Sequence, residues 1–275
     1  MTTTGHGLEG RVVVVTGAAR GIGAAAAKAI AAAGGRLVLI DVHGEGLARV
    51  ASECGASVGL ARVADVRDGA ALAAVASAIA SRGGAIDVLV NNAAVYAQGP
   101  LLELPEGAFE RCVDVNLLGL VRCCRAFLPL LTRRPGGQII NVLSEFAWLP
   151  FPNKASYCVS KSAAAMASAC LRGELAGRGV RVTDFVPPAV ETGLVGEAPA
   201  VDPAAQAREV DVVRRHAIPA ERVAKALVGA IRRPRDRVVC GAIPRAAILA
   251  ARLAPEFTRR WAFRAAVRMG LAKDG

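Results

Sequence analysis

Tyr157 and Lys161 stand four residues apart in the stretch Y-C-V-S-K, a spacing that puts both side chains on one face of a helix, one turn apart. A free phenol titrates near 10, too high to take a proton at neutral pH, and an adjacent ammonium is expected to favour phenolate and lower that value. Ser144 lies thirteen residues upstream, directly after the apolar run Ile139-Ile140-Asn141-Val142-Leu143, where a hydroxyl at a strand end can meet the same substrate oxygen. Together the three are suited to exchanging a proton with an alcohol or a carbonyl. Tyr-x-x-x-Lys is a weak pattern by itself, so the elements that would position it decide its weight.

Residues 11–16 form a β-branched run that reads as a buried parallel strand, and they lead into Thr16-Gly17-Ala18-Ala19-Arg20-Gly21-Ile22-Gly23. Glycines at such a strand-to-helix turn let backbone N–H groups approach a pyrophosphate, which the following helix N-terminus also favours. A second strand, 36–40, ends at Asp41. An acid there can accept both ribose hydroxyls of an adenosine and repels a 2′-phosphate, which favours NAD over NADP; Arg20 in the glycine loop argues the other way. Strand 57–64 leads to Asp65-Val66, where Asp65 can accept from an adenine amino group, and strand 87–90 leads to Asn91-Asn92-Ala93-Ala94. Helices are expected at 24–33, 68–81, 106–131 and 155–176, with strands at 138–143, 180–186 and 237–240. Repeated βα units imply an α/β fold around a central parallel sheet, with a ligand crevice beyond the C-terminal strand ends. Asn116, mid-helix, is either a structural hydrogen-bonding residue or part of a water relay to Lys161. Pro187-Pro188 breaks the chain after the sixth strand, and 189–217 reads equally as a mobile lid or a plain surface loop.

The chain has 275 residues, 53% of them hydrophobic, enough for a full core, and no unbroken apolar run long enough to span a membrane. Residues 1–6 show no basic-then-apolar leader, which sets a cytoplasmic expectation. Seven cysteines form no C-x-x-C pair and lack nearby histidines, so they read as reduced, mostly buried thiols with no metal site; Cys158, next to Tyr157, reads as a packing residue. The net charge of +11 is concentrated at one end. Residues 1–207 carry 18 basic and 17 acidic side chains, while 208–275 carry 16 and 6. No nucleic-acid motif or aromatic stacking set accompanies that basic stretch, so nucleic acid is not expected as a partner.

In order and spacing, T-G-A-A-R-G-I-G (16–23), Asp65-Val66, N-N-A-A (91–94), Asn116, G-Q-I-I-N-V-L-S (137–144) and Y-C-V-S-K (157–161) resemble the short-chain dehydrogenase/reductase family, from about Leu8 to Gly241. The resemblance implies a single doubly wound Rossmann domain over 8–241. It also implies a site of Ser144, Tyr157 and Lys161 assisted by Asn116. In the family's mechanism the tyrosine exchanges the proton, the lysine lowers its pKa and holds the nicotinamide ribose, the serine orients the substrate oxygen and the asparagine supports a relay water. The implied cofactor contacts are Gly17, Arg20, Gly21, Ile22, Gly23, Asp41, Asp65, Val66, Asn92, Tyr157 and Lys161, then Pro187, Val190 and Thr192 after the sixth strand. Homodimers or homotetramers are the family's usual assemblies. Two positions depart from its pattern: Ala94 and Pro188 stand where glycine is usual, and both adjoin the cofactor.

Phe146, Trp148, Leu149, Phe151 and Pro152, with Val95, Tyr96, Leu194 and Val195, suggest an apolar lining. That suits a steroid-like or terpenoid secondary alcohol or ketone. Two other functions fit the same motifs: an NADPH-dependent reductase of acyl thioesters or quinones, and a dinucleotide-sensing protein without turnover. Residues 242–275 read as a basic amphipathic helical extension packed on the same domain. It is expected to cover the substrate mouth or form a subunit contact, ahead of peripheral contact with a membrane surface.

Overall fold

A computed structural model describes residues 7–272; the N-terminal hexapeptide and positions 273–275 of the extension lie outside the described residues. Seven strands, β1 (Val12–Thr16), β2 (Arg36–Asp41), β3 (Val58–Val63), β4 (Val88–Asn91), β5 (Gln138–Val142), β6 (Arg181–Val186) and β7 (Arg237–Val239), form one parallel sheet in the order β3-β2-β1-β4-β5-β6-β7. The order reverses between β1 and β4, and that reversal opens a crevice at their C-terminal ends.

The four valines of β1 show why the sheet is covered on both sides. Val14 joins an apolar cluster with Ile40, Leu89 and Ile139, while Val13 and Val15 join the opposite one with Leu39, Ile140 and Phe185, as alternate side chains of a strand must. Helices α1 (Gly21–Ala32) and α2 (Gly44–Cys54) pack on the second face. Helix α3 (Gly69–Ala80) packs on the first, its N-terminus capped by Asp68, which accepts from the Ala70 and Ala71 N–H groups. Helix α2, which the sequence reading does not name, has an apolar stripe of only Leu47, Val50 and Cys54.

The helix expected at 106–131 is interrupted. It comprises α4 (Ala108–Val113), a π-helical turn (Asp114–Gly119) and α5 (Leu120–Leu131). A side chain at Gly119 would lie 2.7 Å from Val66 Cγ2, so this turn lies close beside the end of β3. Helix α6 (Ala155–Leu175) carries Tyr157 and Lys161. Of the segment 189–217, the second half is helix α7 (Pro203–His216), begun by Pro203 and capped by Asp202, whose Oδ1 accepts from Ala204 and Ala205 N–H at 2.9 and 3.0 Å. Helix α8 (Ala220–Arg232) packs beside α1.

The C-terminal pair, α9 (Ala242–Leu253) and α10 (Pro255–Arg268), is anchored by Ile248 in the core. The turn after α10 is tied down at two points: Arg208 Nε donates to the Gly270 carbonyl at 2.8 Å, and Asn153 Nδ2 donates to that of Leu271. Phe257 and Trp261 remain 71% and 55% exposed among the arginines of α10. Among the described residues no helix is long and apolar enough to cross a membrane.

Candidate active site

The crevice has two lobes of about 230 Å³ each, and Ile22, Leu143, Tyr157, Pro187, Thr192 and Leu194 line both. The first lobe is built largely from backbone. Gly17 has φ +65°, and a Cβ on it would come within 2.8 Å of Ala93 Cα; a Cβ on Gly23 would lie 2.0 Å from the Gly17 carbonyl oxygen. Asn92 fixes the loop by donating from Nδ2 to the Thr16 and Gly17 carbonyls, both at 3.0 Å, and Thr16 Oγ1 accepts from the Asn92 and Ala93 N–H groups. Helix α1 enters this lobe with no capping side chain and no acid in its first turn, which leaves its N-terminal field open toward an anion. Arg20, Gly21 and Val66 line the lobe, and Arg20 is ion-paired with Glu197. Gly23 lies beneath the loop, and Val190 lines the second lobe instead.

Two carboxylates form the far wall. Asp41 is buried; Oδ2 accepts from Ala19 N–H at 2.8 Å and Oδ1 from His43 N–H at 2.9 Å, so each oxygen keeps a further lone pair. Asp65 is gripped by Arg67, through its backbone N–H at 2.8 Å and its guanidinium at 2.9 and 2.7 Å. The guanidinium bond, ahead of the backbone bond and the charge attraction, holds the Asp65 carboxyl below its usual range. Arg67, His43 and Arg111 also line this lobe, and sequence reasoning did not single them out.

Lys161 is buried under Tyr157. Its Nζ donates to the Val142 carbonyl at 2.9 Å and lies 5.6 Å from the centroid of the Tyr157 ring; burial depresses its pKa to about 8. The expectation that this cation lowers the Tyr157 pKa is not met here. Desolvation pushes the phenol up, the Glu145 carboxylate adds to it, and a hydrogen bond with Ser144 works in the other direction. The physical reason is that the same burial disfavours charge on both partners, while the ammonium is directed at a backbone carbonyl of β5. Ser144 begins the turn after β5 and accepts from Phe146 N–H at 3.3 Å.

Asn116 sits inside the π-helical turn. Its Oδ1 accepts from Val95 N–H at 2.9 Å, and its Nδ2 donates to the Val95 carbonyl at 3.0 Å and to Ser160 Oγ at 2.9 Å. A cavity of about 10 Å³ lined by both Asn116 and Lys161 is near the smallest size that admits one water. Cys158 is buried, with its thiol pushed up by that burial, which fits a packing role.

Side chains dominate the second lobe. Tyr96, Phe146, Leu194 and Val195 line it, and so does Pro188; Ala94 and Val95 line the first lobe. Trp148, Leu149, Phe151 and Pro152, expected in the lining, are not there: Trp148 packs on the Arg237 guanidinium at 4.3 Å and Phe151 on Phe146 at 5.7 Å. Two buried charges missed by sequence reasoning, Lys154 and Glu209, also line this lobe. No spacing signal links residues that far apart. Among the described residues no cluster of His, Cys, Asp or Glu could hold a metal ion.

Comparison with known proteins adds to this geometry. A family model described as short chain dehydrogenase matches residues 11–202. The probable oxidoreductase EphD of Mycobacterium tuberculosis is 40% identical over 187 residues, 67% of this chain and 32% of EphD; the chain thus spans about a third of that relative's length. D-threitol dehydrogenase of Mycolicibacterium smegmatis is 38% identical over 189 residues, 68% of this chain and 73% of that one. Among solved structures, a short chain dehydrogenase/reductase from Burkholderia phymatum in complex with NAD superposes with a TM-score of 0.82 at 30% identity, covering 92% of this chain and 96% of that one.

Proposed function

Because the chain belongs to the short-chain dehydrogenase/reductase family of oxidoreductases, we propose that it interconverts a secondary alcohol and a ketone with NAD, on a substrate whose framework is apolar, steroid-like or terpenoid. The observation that carries this reading is the meeting of the two lobes at Tyr157, with Ser144 in one and Lys161 in the other.

The first lobe suits a dinucleotide. The Gly17–Gly23 loop and the open α1 N-terminus would hold the pyrophosphate, with Arg20 and Ile22 beside it. The spare lone pairs of Asp41 match two ribose hydroxyls and would repel a 2′-phosphate, which favours NAD. Asp65 and Val66 would flank the adenine; Asn92, Lys161, Pro187 and Thr192 would surround the nicotinamide half, with Val190 on its substrate side. When bound, the nicotinamide supplies or accepts the hydride.

The chain's own residues handle the proton. Tyr157, kept neutral by its surroundings, is an acid able to protonate a carbonyl oxygen, and Ser144 orients that oxygen by a hydrogen bond. For alcohol oxidation the phenol must first be deprotonated. The Lys161 ammonium beneath it then stabilises the phenolate, Asn116 fixes the backbone at Val95, and the small cavity shared by Asn116 and Lys161 would admit one water. An assay of the purified protein with NAD and NADP against bulky cyclic alcohols and small polyols tests the whole reading. NAD-linked oxidation of the cyclic alcohols is expected; a preference for NADP would sink the Asp41 argument, and a preference for small polyols the apolar substrate.

A further inference from the structure

Three polar side chains with no part in the proton transfer come together in the substrate lobe. Lys154, Glu209 and Tyr96 are 7%, 3% and 5% exposed. Lys154 Nζ is ion-paired with Glu209 Oε1 and lies 3.4 Å from the Tyr96 hydroxyl, which donates to the Glu209 carboxylate at 3.0 and 3.1 Å. The Tyr96, Phe146 and Phe151 rings surround the ammonium, with centroids at 5.3, 5.1 and 5.5 Å. The cluster adjoins the reacting group, since the Tyr96 and Tyr157 rings meet edge to face at 5.5 Å.

Burying an ion pair is costly, and apolar residues of similar size would often be as stable. A lobe meant only for hydrocarbon has no use for one. Its hydrogen-bond inventory is also incomplete. An ammonium has three donors, and among the described residues Glu209 Oε1 and the Tyr96 oxygen take two of Lys154's, while Glu209 Oε2 accepts from Tyr96 alone. One donor of Lys154 and at least one acceptor site, on Glu209 Oε2, therefore remain in a lobe that all three residues line.

Deepening the function proposed above, on which this step rests, we infer that Tyr96, Lys154 and Glu209 form a subsite for a neutral hydroxyl on the substrate, remote from the reacting carbon. A hydroxyl both donates and accepts, which matches the spare pair. A carboxylate in the same place would face Glu209, and an ammonium would face Lys154. The charges cancel within the cluster, so a neutral group is what it selects. The wall is braced from outside as well. Asn153 and Arg208, the neighbours of Lys154 and Glu209, are the two residues tied to the Leu271 and Gly270 carbonyls, so the turn after α10 holds both halves of the subsite together.

Calorimetric titration of the NAD-loaded protein with decalone and with decalones bearing a remote hydroxyl, carboxylate or ammonium tests the subsite, with turnover of each ketone or its alcohol followed in parallel. The hydroxylated ligand is expected to bind about 10-fold more tightly than decalone, and the two charged ligands more weakly than the hydroxylated one. In the volume-conserving triple variant Tyr96→Phe, Lys154→Met, Glu209→Leu, checked for folding by circular dichroism, the hydroxyl preference should fall to about one. Lys154→Met alone leaves a buried carboxylate and should turn preference toward the ammonium ligand. Equal binding of decalone and its hydroxylated form to the wild type, or no binding of either, overturns the subsite even if alcohols are turned over. Selective binding without turnover keeps the subsite and removes the proposed reaction.

Discussion

The two lobes of the crevice are made of different materials. The dinucleotide lobe is assembled mostly from strand ends, backbone N–H groups and side chains of residues 17–95, and its shape depends on atoms that are missing, the Cβ positions of Gly17 and Gly23. The substrate lobe draws on Tyr96, Lys154, Glu209 and the stretch 187–196, brought together from separate elements and braced by the C-terminal turn. The first lobe therefore tolerates little change and the second is free to vary, as expected where a fixed scaffold carries variable loops. Tyr157 belongs to both, so its loss should have the largest effect. Tyr157→Phe removes the exchanged proton and is expected to cut kcat by about 10³-fold to 10⁴-fold. NAD affinity by titration should stay within a few-fold, because the glycine loop and Asp41 are untouched. Retention of more than a tenth of the activity would move the proton chemistry elsewhere.

The next effect should be confined to the first lobe. A Cβ at position 23 would stand 2.0 Å from the Gly17 oxygen and 2.6 Å from Asn92 Nδ2, so the Gly23→Ala variant must move the loop that Asn92 pins. A loss of NAD affinity of about 10-fold to 100-fold follows from overpacking of this size. At Gly69, where an added Cβ meets nothing within 4 Å, the same substitution should leave affinity unchanged. Equal behaviour of the two variants would show that the close approach at Gly23 does not shape the site.

The same contrast explains what was legible in the sequence. Local signals found the strands to within a residue or two, because runs such as Val13–Val15 are buried on both faces and need no partner information to recognise. They found the glycine loop for the same reason, since its chemistry lies within eight consecutive residues. The π-helical turn at Asn116 was hidden because its cause, the approach of Gly119 to Val66, is tertiary. Helix α7 was read as loop or lid, although Asp202-Pro203 is a local start signal that marks it. Lys154 and Glu209 lie 55 positions apart and were invisible for the reason Tyr96 was taken only as lining: each acquires its role from the other two. The direction of the Tyr157 shift was missed because spacing shows a cation nearby but not the burial that opposes it.

That shift gives the subtlest test of the boundary between the lobes. The chain has two tyrosines, and burial raises the pKa of each; Glu209 adds to the effect at Tyr96, and Glu145 at Tyr157. A raised phenol pKa means the proton is held through neutral pH and leaves only under alkaline conditions. In the folded, cofactor-free protein, tyrosinate absorbance should therefore not develop below about pH 10, where a free phenol is half ionised. Carbonyl reduction, which needs the neutral phenol, should be flat with pH over that range, whereas alcohol oxidation should rise with pH because it draws on the minor phenolate. Above about pH 8 Lys161 loses its charge and its support of that phenolate, so the rise in oxidation should become shallower there. Glu145→Gln removes the like charge but not the burial, which is the larger cause, so it should move the Tyr157 titration down only part of the way toward the free value. A tyrosinate transition centred below pH 9 in the wild type would mean that Lys161 outweighs burial after all, and the spacing in the sequence would then have told more about this phenol than its surroundings do.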